Sequence, residues 1–332
     1  MPEPVLFIAG FLIVTALLFD FINGFHDAAN AIATVVATNV LKPRQAVLLA
    51  AFWNFMGMFF FGVAVATTIG KGIIVPEFTT LHVLFAGLIG AIIWDLITWY
   101  WGLPTSSSHA LIGGFVGAAI AVGGFKVIIW SGLTKILIFI FLAPLIGFIG
   151  AILVSILTMH LFRKSTPSHV NSLFRKLQLV SSSLYSLGHG TNDAQKTMGV
   201  IAIILFSAGL TKQFHVPIWV IFASHASIAL GTYFGGWRII KTMGHKITKL
   251  RPIDGFAAEG AGSIVLLGTA TAGIPVSTTH VISGSIMGVG STRRVSAVRW
   301  IIARKIVLTW IVTIPIAALF GAALSRVLLV LF

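Results

Sequence analysis

The chain has no cysteine among its 332 residues, only three tyrosines and only eight acidic residues. Without cysteine there are no disulfides and no thiol chemistry. Charge is scarce: Asp, Glu, Lys and Arg make up 9% of the sequence, where a soluble domain carries about 25%. Apolar residues fill the difference, at 57% of the chain and a mean hydropathy of +1.02. Long apolar stretches cover 5–22, 44–69, 81–101, 128–158, 199–211 and 306–332. Stretches of about 20 such residues cross a roughly 30 Å hydrocarbon layer as helices. The short alternating segments of a transmembrane barrel are also missing. The composition predicts an all-α polytopic membrane protein. No basic residue precedes 5–22 and the apolar pattern continues past Asp27, so this stretch reads as a span and not as a cleaved leader.

The formal charge of +14 is a matter of placement. Basic residues gather in three groups: Arg163, Lys164, Arg175 and Lys176; Arg238, Lys241, Lys246, Lys249 and Arg251; Arg293, Arg294, Arg299, Arg304 and Lys305. Each group abuts an apolar span, which is the positive-inside pattern of a protein in a lipid bilayer and not a nucleic-acid footprint. With these groups in the cytoplasm, Lys42 and Arg44 also fall inside, so that 16 of the 22 basic residues lie there, and both chain termini are expected outside. The location expected from this pattern is a cell membrane, crossed many times.

Two polar patterns occur twice. Gly24-Phe25-His26-Asp27-Ala28 returns 166 residues later as Gly190-Thr191-Asn192-Asp193-Ala194. Pro104-Thr105-Ser106-Ser107-Ser108-His109 returns after 171 residues as Pro275-Val276-Ser277-Thr278-Thr279-His280. Each half has five apolar stretches, and an odd number of crossings inverts the second half relative to the first. The expected organisation is a first repeat over 1–159, a cytoplasmic linker over 160–182 and a second repeat over 183–332. Two inverted-topology repeats with interrupted helices are the plan of secondary transporters, whose substrate sits near the midplane.

The duplicated residues are the candidates for chemistry. A carboxylate at membrane depth costs several kcal/mol unless it is paired or wet. Asp27 and Asp193 are therefore read as a site, with Asn23, His26, Asn30, Asn192, Gln195 and Lys196 beside them. Oxygen donors of this kind suit a hard cation, with Asp27 and Asp193 as candidate metal ligands, and histidine suits proton uptake. Lys196, three residues after Asp193, is placed to pair with it or to serve the site directly. The alternative is a structural polar network between helices. In the second motif, proline suits the first turn of a helix and Ser or Thr suits its cap. Pro104 and Pro275 each mark a break where a helix begins, making a re-entrant helical hairpin. Free N–H groups at such ends favour an anion. Ser106, Ser107, Ser108, Ser277, Thr278 and Thr279 add neutral donors, so two tips meeting from opposite sides would cradle a tetrahedral oxyanion. Against this stands the plainer reading of hydroxyls spent on their own backbone. Trp53, Trp94, Trp99, Trp101, Trp130, Trp219 and Trp237 are assigned to an interfacial belt.

These motifs resemble those of the inorganic phosphate transporter (PiT) family. The family's Gly-Ala-Asn-Asp-Val-Ala-Asn-Ala signature is matched by Gly24 to Ala31 and more loosely by Gly190 to Thr197. Its hairpins are matched at Pro104 to His109 and Pro275 to His280, and Arg251 to Glu259 is similar to its second half. The resemblance implies import of inorganic phosphate driven by a cation gradient. By the same resemblance, Ser106, Ser107, Ser277, Thr278 and Thr279 would touch phosphate. Asp27, Asn30 and Asp193 would serve the coupling cation or the anion. His26 in place of the signature asparagine, and Gln195-Lys196 in place of Ala-Asn, look like the bacterial branch. That branch couples to protons and carries phosphate complexed with a divalent metal such as Mg²⁺ or Ca²⁺. Sodium coupling and sulfate as cargo are the alternatives within the family. No permanent cofactor is expected, and a homodimer is left open. An intramembrane hydrolase using Ser108-His109 or Thr279-His280 is disfavoured, since adjacent helical residues do not face each other and no carboxylate is placed to orient either histidine. The chain is not expected to be an enzyme.

Overall fold

In hydrocarbon every backbone N–H and C=O must find its partner within the protein, which leaves helices as the default. The computed structural model describes residues 3–60 and 62–331, and among these there is no strand. The chain ends, expected outside the cell, lie beyond the described residues. The first repeat supplies α1 (Glu3–Ala37), α2 (Pro43–Met56), α3 (Ala64–Lys71), α4 (Leu81–Trp101), α5 (Ser107–Gly123) and α6 (Trp130–Leu161). The second supplies their counterparts in the same order: α7 (Pro167–Ser207), α8 (Ile218–Phe234), α9 (Trp237–Lys241), α10 (Pro252–Thr271), α11 (Thr278–Arg293) and α12 (Trp300–Leu331). α9 continues into a π-helical turn, Thr242–Lys246, and the α8–α9 junction is bent by 61° at Gly235-Gly236.

The two halves are interlaced. α1 packs on α8, while α2 and α3 pack on α7. The hairpin α4–α5 packs on α12, and the hairpin α10–α11 packs on α6. Each contact has a mirror contact with the repeats exchanged, which is what a two-fold relation between them requires. The motif glycines allow it. A Cβ at Gly190 would sit 2.5 Å from Asn54 Cα in α2, and one at Gly24 would run into the Ile228 carbonyl in α8. Both are backbone contacts that only glycine permits.

Two expectations change here. The 160–182 stretch is no open linker. After a short turn, α7 begins at Pro167 on a Thr166 cap, and Gln178 and Ser181 of its early turns are buried. Helix propensity and a hydroxyl cap prevail over the serine-rich composition. Trp94 belongs to no belt. It lies inside α4 at 5% exposure, its Nε1 donating to Thr313 Oγ1 at 3.2 Å.

Candidate functional site

Both copies of the first motif lie in unbroken helix, in the middle of α1 and of α7. The break is confined to the hairpins. α4 ends on Gly102 and the α10 turn on Gly273, each with φ +65°, a left-handed conformation that glycine adopts without strain. The prolines do not open the next helix, contrary to the expectation above. α5 starts at Ser107 and α11 at Thr278, each three residues later, with Ser106 and Ser277 as extended N-cap residues. Ser106 Oγ accepts from His109 N and Ser277 Oγ accepts from His280 N, both at 3.2 Å. Serine's preference for the cap takes those two hydroxyls for the backbone. The next two in each run are free of that duty.

The tips meet. Asn30 Nδ2 in α1 donates to Thr278 Oγ1 at 3.1 Å and to Thr279 Oγ1 at 2.9 Å. Thr278 Oγ1 donates to Asp193 Oδ2 at 3.1 Å, and Thr279 Oγ1 lies 3.4 Å from Asp27 Oδ2. From α7, Lys196 Nζ donates to Ser108 Oγ at 2.5 Å, to the Val276 carbonyl at 2.9 Å and to the Asp193 carboxylate. The His109 and His280 rings lie edge to face, 4.7 Å between centroids, and His280 stacks on Trp310 at 3.9 Å. Among the described residues Ser107 Oγ is buried with no hydrogen-bond partner. Asp27, Asn30, Asp193, Lys196, Ser108, Thr278 and Thr279 thus converge on one buried polar centre between four elements. A buried ion pair such as Asp193–Lys196 gives little net stability, and losing one partner costs far more than losing both.

Each signature aspartate also has a histidine against it. His26 Nδ1 is 2.7 Å from Asp27 Oδ1, while its Nε2 is 3.2 Å from Thr98 and Thr105 of the first hairpin. His189 Nε2 faces Asp193 Oδ2 at 3.2 Å, and its Nδ1 is 3.1 Å from Asn54 Oδ1. Donor atoms of Asp27, His189 and Asp193 all lie within 4.8 Å of one another, a set of two oxygens and one nitrogen able to hold a divalent metal. His189 was not among the candidates above. The signal for it was its place four residues before Asp193, on the same helical face. Tyr185 was missed as well; its hydroxyl donates to the Thr278 carbonyl at 2.8 Å and fixes the second tip.

The remaining candidates divide. Gln195 points elsewhere, its Oε1 accepting from Val65 N at 2.8 Å in the first turn of α3. Asn23 and Asn192 are buried, and among the described residues Asn23 Oδ1 and both Asn192 side-chain polar atoms have no hydrogen-bond partner. A further buried carboxylate, Glu259, is held apart from the centre by Thr34 at 2.5 Å, Gln178 at 3.0 Å and Ser181 at 2.5 Å, all donating to it.

The hairpin tips are clasped from outside by the opposite repeat. Thr68 Oγ1 of α3 donates to the Gly273 carbonyl at 2.7 Å. Thr242 Oγ1, in the π-helical turn, donates to the Gly102 carbonyl at 3.0 Å.

The model of the Phosphate transporter family matches residues 23–169 and 162–321, one copy on each repeat. The chain belongs to the phosphate transporter family. This transporter is 58% identical over 312 residues to a protein of Rhizobium meliloti described as a probable low-affinity inorganic phosphate transporter, covering 94% of this chain and 93% of that one. It is 48% identical to a Bacillus subtilis protein of the same description, with 97% of each chain covered. A solved structure titled "The sodium-dependent phosphate transporter" is similar to it with a TM-score of 0.87 at 25% identity, over 99% of this chain and all of that one. This transporter is accordingly a multi-pass membrane protein of two inverted repeats and not an enzyme.

Proposed function

We propose that this chain imports inorganic phosphate by proton symport, with the anion carried as a complex of a divalent metal such as Mg²⁺ or Ca²⁺. The observation that carries this reading is the meeting of two hydroxyl-bearing helix N-termini over a pair of histidine-backed aspartates. Helix ends and hydroxyls offer an oxyanion neutral donors, which bind reversibly where an arginine clamp would hold fast. Ser107, Ser108, Thr278 and Thr279 are the hydroxyls assigned to the anion, and Ser106 and Ser277 shape the tips that present them. Asp27 and Asp193, with His26 and His189, are assigned to the coupling proton and to the metal. The charge balance favours accompanying cations. Two carboxylates and one ammonium leave the centre net negative, so a phosphate dianion needs positive charge to enter so dry a place.

The test is uptake of labelled phosphate into liposomes holding the purified protein, with the proton gradient, the sodium gradient and the divalent metal varied independently. Uptake driven by an inward proton gradient and raised by Mg²⁺ or Ca²⁺ is the expected result. Uptake driven by sodium alone would move the coupling to the sodium reading, in line with the similar solved transporter described as sodium-dependent. Displacement of phosphate by excess sulfate would redefine the cargo, and no uptake under any gradient would end the proposal.

A further inference from the structure

We propose that Lys196 is a tethered cation: its ammonium permanently fills an oxygen cage at the meeting point of the hairpins and makes a free monovalent cation unnecessary there. The inference rests on the phosphate-import reading above and adds which oxygens of the site a resident charge already occupies.

The argument begins with the donor count. An ammonium has three N–H donors and no acceptor. Lys196 Nζ has three oxygens around it, Ser108 Oγ at 2.5 Å, the Val276 carbonyl at 2.9 Å and one Asp193 carboxylate oxygen. One hydroxyl, one carbonyl and one carboxylate are the oxygen types that hard cations take as ligands. They come from three separate elements: the start of α5, the link before α11, and α7 itself. The side chain is 1% exposed, so no water shell competes. The ammonium therefore ties the first hairpin to the second, through a charge that cannot leave with the cargo.

The matching position shows what is special about this. Lys196 stands where the first repeat has Asn30, 166 residues earlier. Asn30 reaches Thr279, the counterpart of Ser108, with a neutral amide at 2.9 Å. Among the described residues Asp27 therefore has the His26 imidazole and no ammonium beside it. The Lys196 cage is thus closed to an exchangeable monovalent ion, while Asp27, His189 and the Asp193 oxygen turned toward His189 remain available to one.

Two substitutions separate this from a merely structural ion pair. Lys196→Ala removes the ammonium and leaves room for a small ion. Lys196→Met removes the charge and keeps the chain's bulk. In liposomes bathed in choline chloride, both variants should lose phosphate uptake by about tenfold or more, as expected of a buried carboxylate stripped of its partner. Adding ammonium, methylammonium or sodium should restore the alanine variant only. Thermal unfolding in detergent gives a readout independent of transport: sodium or ammonium should raise the midpoint of Lys196→Ala and leave wild type and Lys196→Met unmoved. If Lys196→Ala does not purify as a folded protein, Lys196→Asn, copying the first repeat, carries the same measurements. Wild-type uptake with no rescue of either small variant by any cation overturns the inference and leaves the import reading intact. Undiminished uptake by Lys196→Met overturns it as well. Failure of wild-type uptake under every gradient strikes the import reading instead.

Discussion

At residue 30 the first repeat places an amide, and at the matching residue 196 the second places an ammonium. Both reach across to a hydroxyl on a hairpin of the other repeat or at its tip, so the geometry of the two halves is nearly the same while the charge is not. The histidines differ in the same way. His26 adjoins its aspartate in sequence and bridges to the first hairpin, whereas His189 comes from one helical turn earlier and leans on Asn54 of α2. A duplicated scaffold can hold two positions in register and still give them different work. Symmetry supplies the meeting of the tips, and its breaking leaves an ammonium at one aspartate and an amide at the matching place of the other.

The comparison breaks most sharply at the two aspartates. Asp193→Asn leaves Lys196 buried without its carboxylate, a loss of about 3–5 kcal/mol. Asp27→Asn strands no lysine. Both should abolish coupled uptake, but thermal unfolding should separate them, with the Asp193 variant markedly less stable; equal midpoints would mean that Lys196 does not depend on Asp193. Next come the motif glycines. Gly190→Ala and Gly24→Ala each force a Cβ into backbone of the opposite repeat, costing about 1–3 kcal/mol by overpacking. Lowered yields and midpoints for both would be seen by size-exclusion chromatography and calorimetry, and a neutral result at either would show that the repeats do not pack this closely there. Asn30→Ala should act more mildly, removing two hydrogen bonds worth roughly 0.5–1.5 kcal/mol each. Its mark should be a higher KM for phosphate with a modest fall in the unfolding midpoint, and an unchanged KM would detach Asn30 from the anion. The smallest effects belong to Thr68→Val and Thr242→Val, each losing one bond to a tip carbonyl at about 1 kcal/mol. The two should shift the transport rate alike, and an effect at only one of them would show that the clasps are not equivalent.

Much of this was legible in the sequence because polar residues in hydrocarbon must have a reason. The twin Pro-to-His runs announced two hairpins, and Asp27 and Asp193 announced a buried centre. Composition alone did not reveal the helix that begins before residue 183, because serine and arginine are as compatible with a capped helix as with a loop. Gln195 illustrates a further limit. It lies between Asp193 and Lys196 in sequence, yet successive helical residues point about a quarter turn or more apart, and its amide serves α3. His189 had the right spacing to face Asp193 but no duplicate, since Asn23 holds the matching place, so a search guided by repetition passed over it. The reach of Lys196 to Ser108 and Val276 could not be read from spacing at all, because it joins residues 80 or more apart.

The crossed threonine clasps have a mechanical consequence. Thr68 belongs to one repeat and grips the other's tip, and Thr242 returns the grip. Neither hairpin can swing away without tugging on the helical segment of the neighbouring half that grips it, so movement of one tip is felt in the opposite repeat. Such crosswise linkage is a simple way for a carrier to keep both doors from standing ajar together.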